Sequence, residues 1–235
     1  MFHGKNAKIY ANGYDLTTYL DSVDSPGTND VAEISTFNAV QKAYIAGLED
    51  ATLSMEGFWD GDASAAETAL STALGNTAII TWYPAGDTVT YRGFGMDADV
   101  TARSIRSTLD GASRISAAAQ SSSGLEAIIS LHTLGTEYSA AYTGTAYDYS
   151  AASTSGGSAY LQVVSATTTA AVSIRHSPYS SFSADDTELC AFTAVTGGRT
   201  AQRVAFTGTV KQYVRVYANI TASETITFNT GINRI

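Results

Sequence analysis

The chain has 235 residues, room for one large or two small domains, and only 15% of them are charged, against about 25% in an average globular protein. A net charge of −9 excludes a protein that grips nucleic acid through a basic face, and no run approaches the length of a membrane span. A lone cysteine, Cys190, excludes an intrachain disulfide and reads as a small buried residue of a strand.

The first signal along the chain is a hairpin. Residues 8–11 and 14–17 flank Asn12-Gly13, a pair that accepts the positive φ angles of a type I′ turn. Residues 19–23 extend as a further strand. The run 25–30, with Pro26 and Gly27, breaks it and opens a long connector over 31–50. Connectors of that length are functional or disordered. This one carries Phe37, Val40, Tyr44, Ile45 and Leu48, too much apolar content for disorder. Unless it folds back on its own core, it needs a surface from another subunit. From Ala51 a two-faced strand follows, with Leu53, Met55, Gly57 and Trp59 on one side and Thr52, Ser54, Glu56 and Phe58 on the other.

One short helix is expected next. Ser64 and Glu67 have capping-box spacing; Ala66, Ala69, Leu70, Ala73 and Leu74 form an apolar stripe; Gly75 suits the left-handed stop. Strands are then expected over 78–83, 89–96, 97–105, 114–119 and 125–131. Residues 135–158 are rich in Ser, Gly, Thr and Tyr and poor in charge, and read as a linker. Beyond it, strands over 160–164, 171–176, 188–195, 203–207, 211–220 and 225–230 suggest a second, small β-sandwich. The expected division is 1–134, a linker 135–158, and 159–235. The fold class is all-β with one short helix: an N-terminal sandwich or partial barrel plus a C-terminal small β-sandwich.

The run VAEISTFNAVQKAYIAGLEDATLSMEGFWDG, residues 31–61, carries a family resemblance. Thr36-Phe37, the block 42–50 and the block 53–61 resemble the major tail tube proteins of long-tailed, siphovirus-like bacteriophages, and a weaker similarity extends over about residues 5 to 132. Asn38 departs from the Gly that often follows the Phe. The resemblance implies a structural virion protein, not an enzyme. Six copies would close each ring, and stacked rings would form the tail tube, an acidic conduit for DNA ejection. It implies contacts between rings and subunits through Asp30, Glu33, Phe37, Val40, Lys42, Tyr44 and Ile45. The implied partners are other copies of the chain, the tape-measure protein and transiting DNA without specific binding, and tail terminator and tail-tip proteins. The implied place is the virion tail, assembled in a host cytoplasm; no apolar stretch follows Met1-Phe2-His3-Gly4-Lys5, so no signal peptide is expected. The C-terminal part resembles sandwich modules appended to phage structural proteins, some of which look like carbohydrate-binding modules. It would project outward, with host surface glycans as a possible ligand class.

Charge is unevenly placed. Residues 1–132 hold 16 acidic and 7 basic side chains, and residues 133–235 hold 6 of each. The acidity therefore belongs to the front portion, and Asp15, Asp21, Asp24, Glu56, Asp97 and Asp99 are the candidates for a lumen wall. The same acidity also serves plain solubility. Two other functions stay open on sequence alone: a secreted glycan-binding module or adhesin, and a capsid decoration protein.

Catalytic chemistry finds little footing. His3, His132 and His176 lie far apart and show no metal-ligand spacing, and neither a nucleophile elbow nor a phosphate loop is present. Asp60-Gly61-Asp62 and Asp97-Ala98-Asp99 could offer oxygens to calcium, but lack the spaced glutamate; turn and helix-start roles suit them better. Glu126 with Asp97 or Asp99 could form a glycosidase-like pair, as could many pairs among 22 acids. Trp59 and Trp82 are expected as core anchors. Tyr213, Arg215 and Tyr217 are expected on the solvated face of a sandwich. No cofactor and no metal is assigned.

Overall fold

A computed structural model describes residues 4–33, 41, 44–62, 66–167 and 169–235. The chain is all-β with one short helix. Its first half is built from β1 (Lys8–Ala11), β2 (Tyr14–Asp15), β3 (Leu20–Asp24), β4 (Gly27–Glu33), β5 (Tyr44–Phe58), α1 (Ala66–Ala73), β6 (Thr77–Tyr83), β7 (Arg92–Arg106) and β8 (Arg114–Ser121). The second half holds β9 (Glu126–Thr143), β10 (Tyr147–Asp148), β11 (Gly157–Ala166), β12 (Thr169–Ser177), β13 (Thr187–Ala191), β14 (Val195–Thr196), β15 (Thr200–Phe206) and β16 (Tyr213–Arg234).

The expected hairpin is present. Asn12 and Gly13 have φ of 49° and 78°, and Tyr10 and Ala11 pair with Asp15 and Tyr14. From there the front sheet runs β1-β6-β7-β8-β5-β3 in antiparallel steps. Alternation sorts its side chains. Ile9, Ile80, Met96, Val100, Ile115, Leu53 and Met55 face a core that α1 covers with Ala66, Ala69, Leu70 and Ala73. Burying Leu70 alone contributes about 2 kcal/mol. The helix is only eight residues long, so this packing is what keeps it formed. Gly75 ends it at φ 74°, as its position predicts. Leu74, expected in the stripe, is exposed instead, and Ser64 lies outside the described residues.

Where it is described, the connector expected as a loop is a two-stranded ribbon. β4 pairs with residues 44–51 of β5, in a register that sets Gly27 opposite Ala51 and Glu33 opposite Tyr44. β5 therefore begins at Tyr44, not at Ala51. Its second half joins β8 and β3, but its first half has β4 as its only strand partner among the described residues. A bulge between Asn29 and Val31 breaks the alternation that would announce a strand.

The second half is a two-layered unit around one core. β16 pairs through its first part with β12 and through its last part with β11, both on one edge, while β9 follows its other edge. A register shift between Ile220 and Thr225 lets one strand serve both layers, as corner strands of orthogonal sandwiches do. Val172, Ile174, Leu161, Val163, Val216 and Phe228 meet inside. Residues 135–143, expected as linker, continue β9 against β16, and Tyr147 and Asp148 pair with Val214 and Tyr213. Tyr142, Tyr147 and Tyr149 pack on the second core. Those tyrosines give the segment buried surface that its serines and glycines hide.

The halves meet along a third cluster, of aromatic and aliphatic side chains crossed by polar groups. β11 is buried on both faces: Ala159, Leu161 and Val163 enter the second core, while Ser158, Tyr160 and Gln162 face the front sheet. Gln162 accepts the Gly13 N–H and donates to the Ile79 carbonyl, each at 2.9 Å. A Cβ on Gly13 would lie 2.4 Å from the Val163 carbonyl oxygen, so this glycine answers to the partner layer as well as to its own φ. Tyr10, Tyr83, Ile128 and Tyr160 fill the seam. β9 also pairs with β7, so hydrogen bonding runs unbroken from one half to the other.

Candidate functional site

The side of the front sheet opposite α1 is divided in two. Over β1, β6 and the start of β7 it is covered by β11 and β15. Over the rest of β7, β8, β5 and β3 it is open. Cross-strand register defines the open part: Asp99 lies opposite Gln120, Ser104 opposite Ser116, Glu56 opposite Ser116 and Ser22, and Ser54 opposite Ala118 and Asp24. Directly paired residues share a face. The surface is therefore a shallow array of Ser, Ala and Gln from which Asp24, Glu56 and Asp99 project, all exposed, with Arg106 and Arg114 paired on the same face at one end. Asp50 joins it by accepting a hydrogen bond from Gln120.

The six sequence-predicted acids separate accordingly. Asp24, Glu56 and Asp99 stand on the open face, with Asp99 accepting from the Thr77 hydroxyl at 2.7 Å. Asp21 is exposed and reaches Arg114 with both oxygens, at 2.9 and 2.8 Å. Such an exposed pair is worth under about 1 kcal/mol, and it neutralises one charge of the wall. Asp15 serves its own turn by accepting the Thr17 N–H at 3.0 Å. Asp97 sits at the seam. Its Oδ2 is 3.6 Å from Arg203 Nη1, and Arg203 also binds Glu126 and donates through Nε to the Tyr160 hydroxyl at 3.0 Å. Tyr160 and Ser158 donate to the same Glu126 carboxylate. The imagined Glu126–Asp97 pair is thus real as proximity, but a guanidinium lies between the two groups and ties them to the contact between halves.

Burial pushes the Asp97 pKa up; Arg203 opposes this and Glu126 adds to it. A raised folded-state value means the folded chain takes up that proton more readily than the unfolded chain. The ionised group costs stability above the folded pKa, and the cost fades as pH falls toward the ordinary carboxyl range. Asp97→Asn is therefore expected to stabilise the protein at pH 7. The gap to wild type should close near pH 4, read by urea melts at both values. A variant less stable than wild type at pH 7 would mean that the Arg203 contact outweighs the desolvation.

Of the expected contact residues, Phe37, Val40 and Lys42 lie outside the described residues. Asp30 belongs to β4, and Tyr44 and Ile45 to β5; Glu33 ends β4 and is exposed. The described ones therefore lie on the two strands of the ribbon. The histidines have structural roles where described. His132 stacks on Phe228 with centroids 4.1 Å apart and bonds the Phe228 carbonyl and Glu137, each at 3.0 Å. His176 accepts the Lys211 N–H at 3.3 Å, and burial followed by the Lys211 charge holds its pKa down. Asp60 accepts the Asp62 N–H at 3.0 Å, a turn role as expected; Asp97 and Asp99 are strand residues instead. Among the described residues no group of three or more His, Cys, Asp or Glu is placed to hold a metal ion. No described helix is long and apolar enough to cross a membrane.

Other expectations are corrected. Trp82 packs on the first core and tilts against Phe94, but Trp59 is 42% exposed. Tyr213, Arg215 and Tyr217 are only half-exposed. Arg215 lies 4.0 Å over the Phe182 ring and Arg175 4.5 Å over Tyr217, and both arginines reach Asp186. That face is closed by its own loop.

No protein-family model and no curated protein matches the chain. Among solved structures, it is similar to a chain of the virion of a native gene transfer agent particle, with 12% identity, a TM-score of 0.45, and coverage of 53% of this chain and 97% of that one. It is similar to a chain of the tail of an empty gene transfer agent particle of C6 symmetry, with 13% identity, a TM-score of 0.43 and the same coverage. It is also similar to the SPP1 Dit protein, described as a paradigm of the hub adsorption apparatus in phages infecting Gram-positive bacteria. There the identity is 11%, the TM-score 0.35, and coverage 95% and 98%.

Proposed function

We propose that this chain is a structural, non-enzymatic subunit of a bacteriophage tail tube, forming hexameric rings that stack into a conduit for DNA. One observation carries the reading: an open sheet face of short side chains, studded with Asp24, Glu56 and Asp99, lies beside a two-stranded ribbon that extends past the sheet. Short side chains give a passing polymer little to hold. The carboxylates repel its phosphates, and that repulsion weakens with salt. A ribbon of two strands is marginal by itself and gains from docking on a neighbour.

The C-terminal unit covers the other half of the same sheet side. The sheet steps five times from β3 to β1, and strands rotate by about 20–25° per step, roughly 100° in all. The covered half thus turns away from the open half, which leaves the C-terminal unit beside the conduit. Its two-arginine face is occupied by Asp186, Phe182 and Tyr217, so a host ligand would have to use another surface. Tape-measure, terminator and tip proteins remain the partners this reading requires.

Electron microscopy of the purified protein is expected to show rings or tubes; a monomer at high concentration would sink the reading. A sharper check uses the triple variant Asp24→Lys, Glu56→Lys, Asp99→Lys. Its assemblies should retain double-stranded DNA at low salt and release it as salt rises. Wild-type assemblies should retain none. Equal DNA retention by both would remove these residues from the conduit wall.

A further inference from the structure

We infer that the cleft between β10 and the floor formed by β7, β9 and β16 binds a sugar unit that carries an acidic group, a phosphate or a carboxylate; that such a sugar comes from a host surface rests on the tail reading above. The cleft has a volume of about 360 Å³, within the range of small-ligand sites. It lies where the continuous sheet passes from one half to the other. Arg92 pairs with Ile129, and Ile129 with Ile232, so these three side chains share the floor. Tyr147 and Tyr149 stand in the wall, edge to face with ring centroids 4.7 Å apart. Arg234 completes the lining. Its guanidinium lies 4.0 Å over the Tyr149 ring and donates to the Ala151 carbonyl, so its position is set in advance. Arg92 is exposed, and its guanidinium has no hydrogen-bond or ion-pair partner among the described residues.

Charge selects the acidic group. Two guanidiniums and one carboxylate line the cleft, in a chain whose net charge is −9. The carboxylate, Asp148, belongs to the turn of the wall: its Oδ1 accepts from Gln212 at 2.9 Å and from the Ser150 N–H at 2.6 Å. Those two bonds, Gln212 first, hold its carboxyl below the usual range. A free guanidinium such as that of Arg92 grips phosphate or carboxylate through paired N–H donors. The remaining surface favours a sugar over an acidic peptide. A peptide strand adds to an exposed sheet edge, but β9 runs between β7 and β16 here, and β16 between β9 and β11. β10 offers only two strand residues. The cleft supplies instead two tyrosine rings and an aliphatic floor, broad apolar surface with polar tips, against which the C–H face of a sugar ring can lie.

The test is calorimetric titration of the full chain with glucose phosphate, glucuronate, glucose, inorganic phosphate and a short polyglutamate peptide. One or both sugar acids are expected to bind, more weakly as salt rises, and the tighter of the two identifies the group. Glucose and inorganic phosphate should bind at least roughly tenfold more weakly than that sugar acid, since each lacks half of the contact. Arg92→Ala should weaken the sugar acid by roughly tenfold or more and leave the melting temperature within a few degrees of wild type; Arg92→Lys should recover part of the loss. Glucose binding as tightly as the acids would remove the role of the arginines. Inorganic phosphate binding as tightly as glucose phosphate would reduce the cleft to an anion spot, and tighter binding of the peptide would make it a protein contact; either overturns the inference. So does silence from every probe, or a sugar acid indifferent to Arg92→Ala. Electron microscopy separates the two readings: tubes that bind no sugar acid sink the cleft alone, and a sugar-binding chain that never forms rings or tubes keeps the cleft and sinks the tail reading.

Discussion

A fragment ending at Leu134 is expected to be recovered aggregated or without a cooperative melt, although composition places a linker right after it. The cut falls inside β9, removes β16, its partner along nearly its whole length, and leaves the remaining stub of β9 as an edge. It also uncovers Tyr10, Ile79, Tyr83 and Ile128, which meet Tyr160 in the seam. Gly95 shows how close that contact is: a Cβ there would lie 2.7 Å from the Tyr160 ring. Uncovering three or four such side chains forfeits about 1.5–3 kcal/mol each, comparable to the 5–15 kcal/mol that holds an ordinary domain together. Orphaned polar groups add to the loss. Circular dichroism with thermal melting of the fragment is the measurement. A sharp transition near that of the full chain would show that the halves fold independently and that the seam is a mere contact.

How far the residues alone lead depends on whether a pattern has one physical cause. The Asn12-Gly13 turn was legible because two positive φ angles admit few residue types. So was α1, with its alanine stripe and Gly75. The exposure of two acids was legible: Glu56 and Asp99 alternate with buried neighbours, as a one-sided sheet requires. What escaped was polarity facing protein. Ser158, Tyr160 and Gln162 alternate with apolar residues and look like a solvent face, yet they meet the front sheet. Periodicity reports that two faces differ, not what each one touches. Asp87 was equally silent, since one acid in a turn carries no mark of burial. The ribbon was hidden by its bulge. The run 135–143 was hidden by composition, because small residues suit a strand packed tightly against another as well as they suit a tether.

The seam also makes a prediction at a single atom. Asp87→Ala is expected to destabilise the folded chain by on the order of 4 kcal/mol, as the Tyr10 hydroxyl and the Leu134 N–H lose their closest acceptor at about 1–3 kcal/mol each. Asp87 is 4% exposed. Its Oδ2 accepts the Tyr10 hydroxyl at 2.8 Å and the Leu134 N–H at 2.7 Å, with Asn229 at 3.4 Å. Asn229 in turn accepts the Tyr83 hydroxyl at 2.9 Å and donates to the His132 carbonyl at 2.6 Å. One carboxyl group thus fastens β1 and β9 and, through Asn229, β16 and β6. Tyr10→Phe removes only one donor and keeps the ring packed, so it should cost about 1 kcal/mol. The double variant should cost less than the sum, because Ala has already taken the acceptor away. Urea melts of the three variants decide it. Additive losses, or a loss below about 1 kcal/mol for Asp87→Ala, would mean that water replaces the carboxyl group and that the seam is wet. A dry seam carries load from the ribbon side of the sheet into the C-terminal unit as one body. In that case Asp87→Ala should also make assembled tubes dissociate at lower denaturant than wild type, with the acidic face untouched.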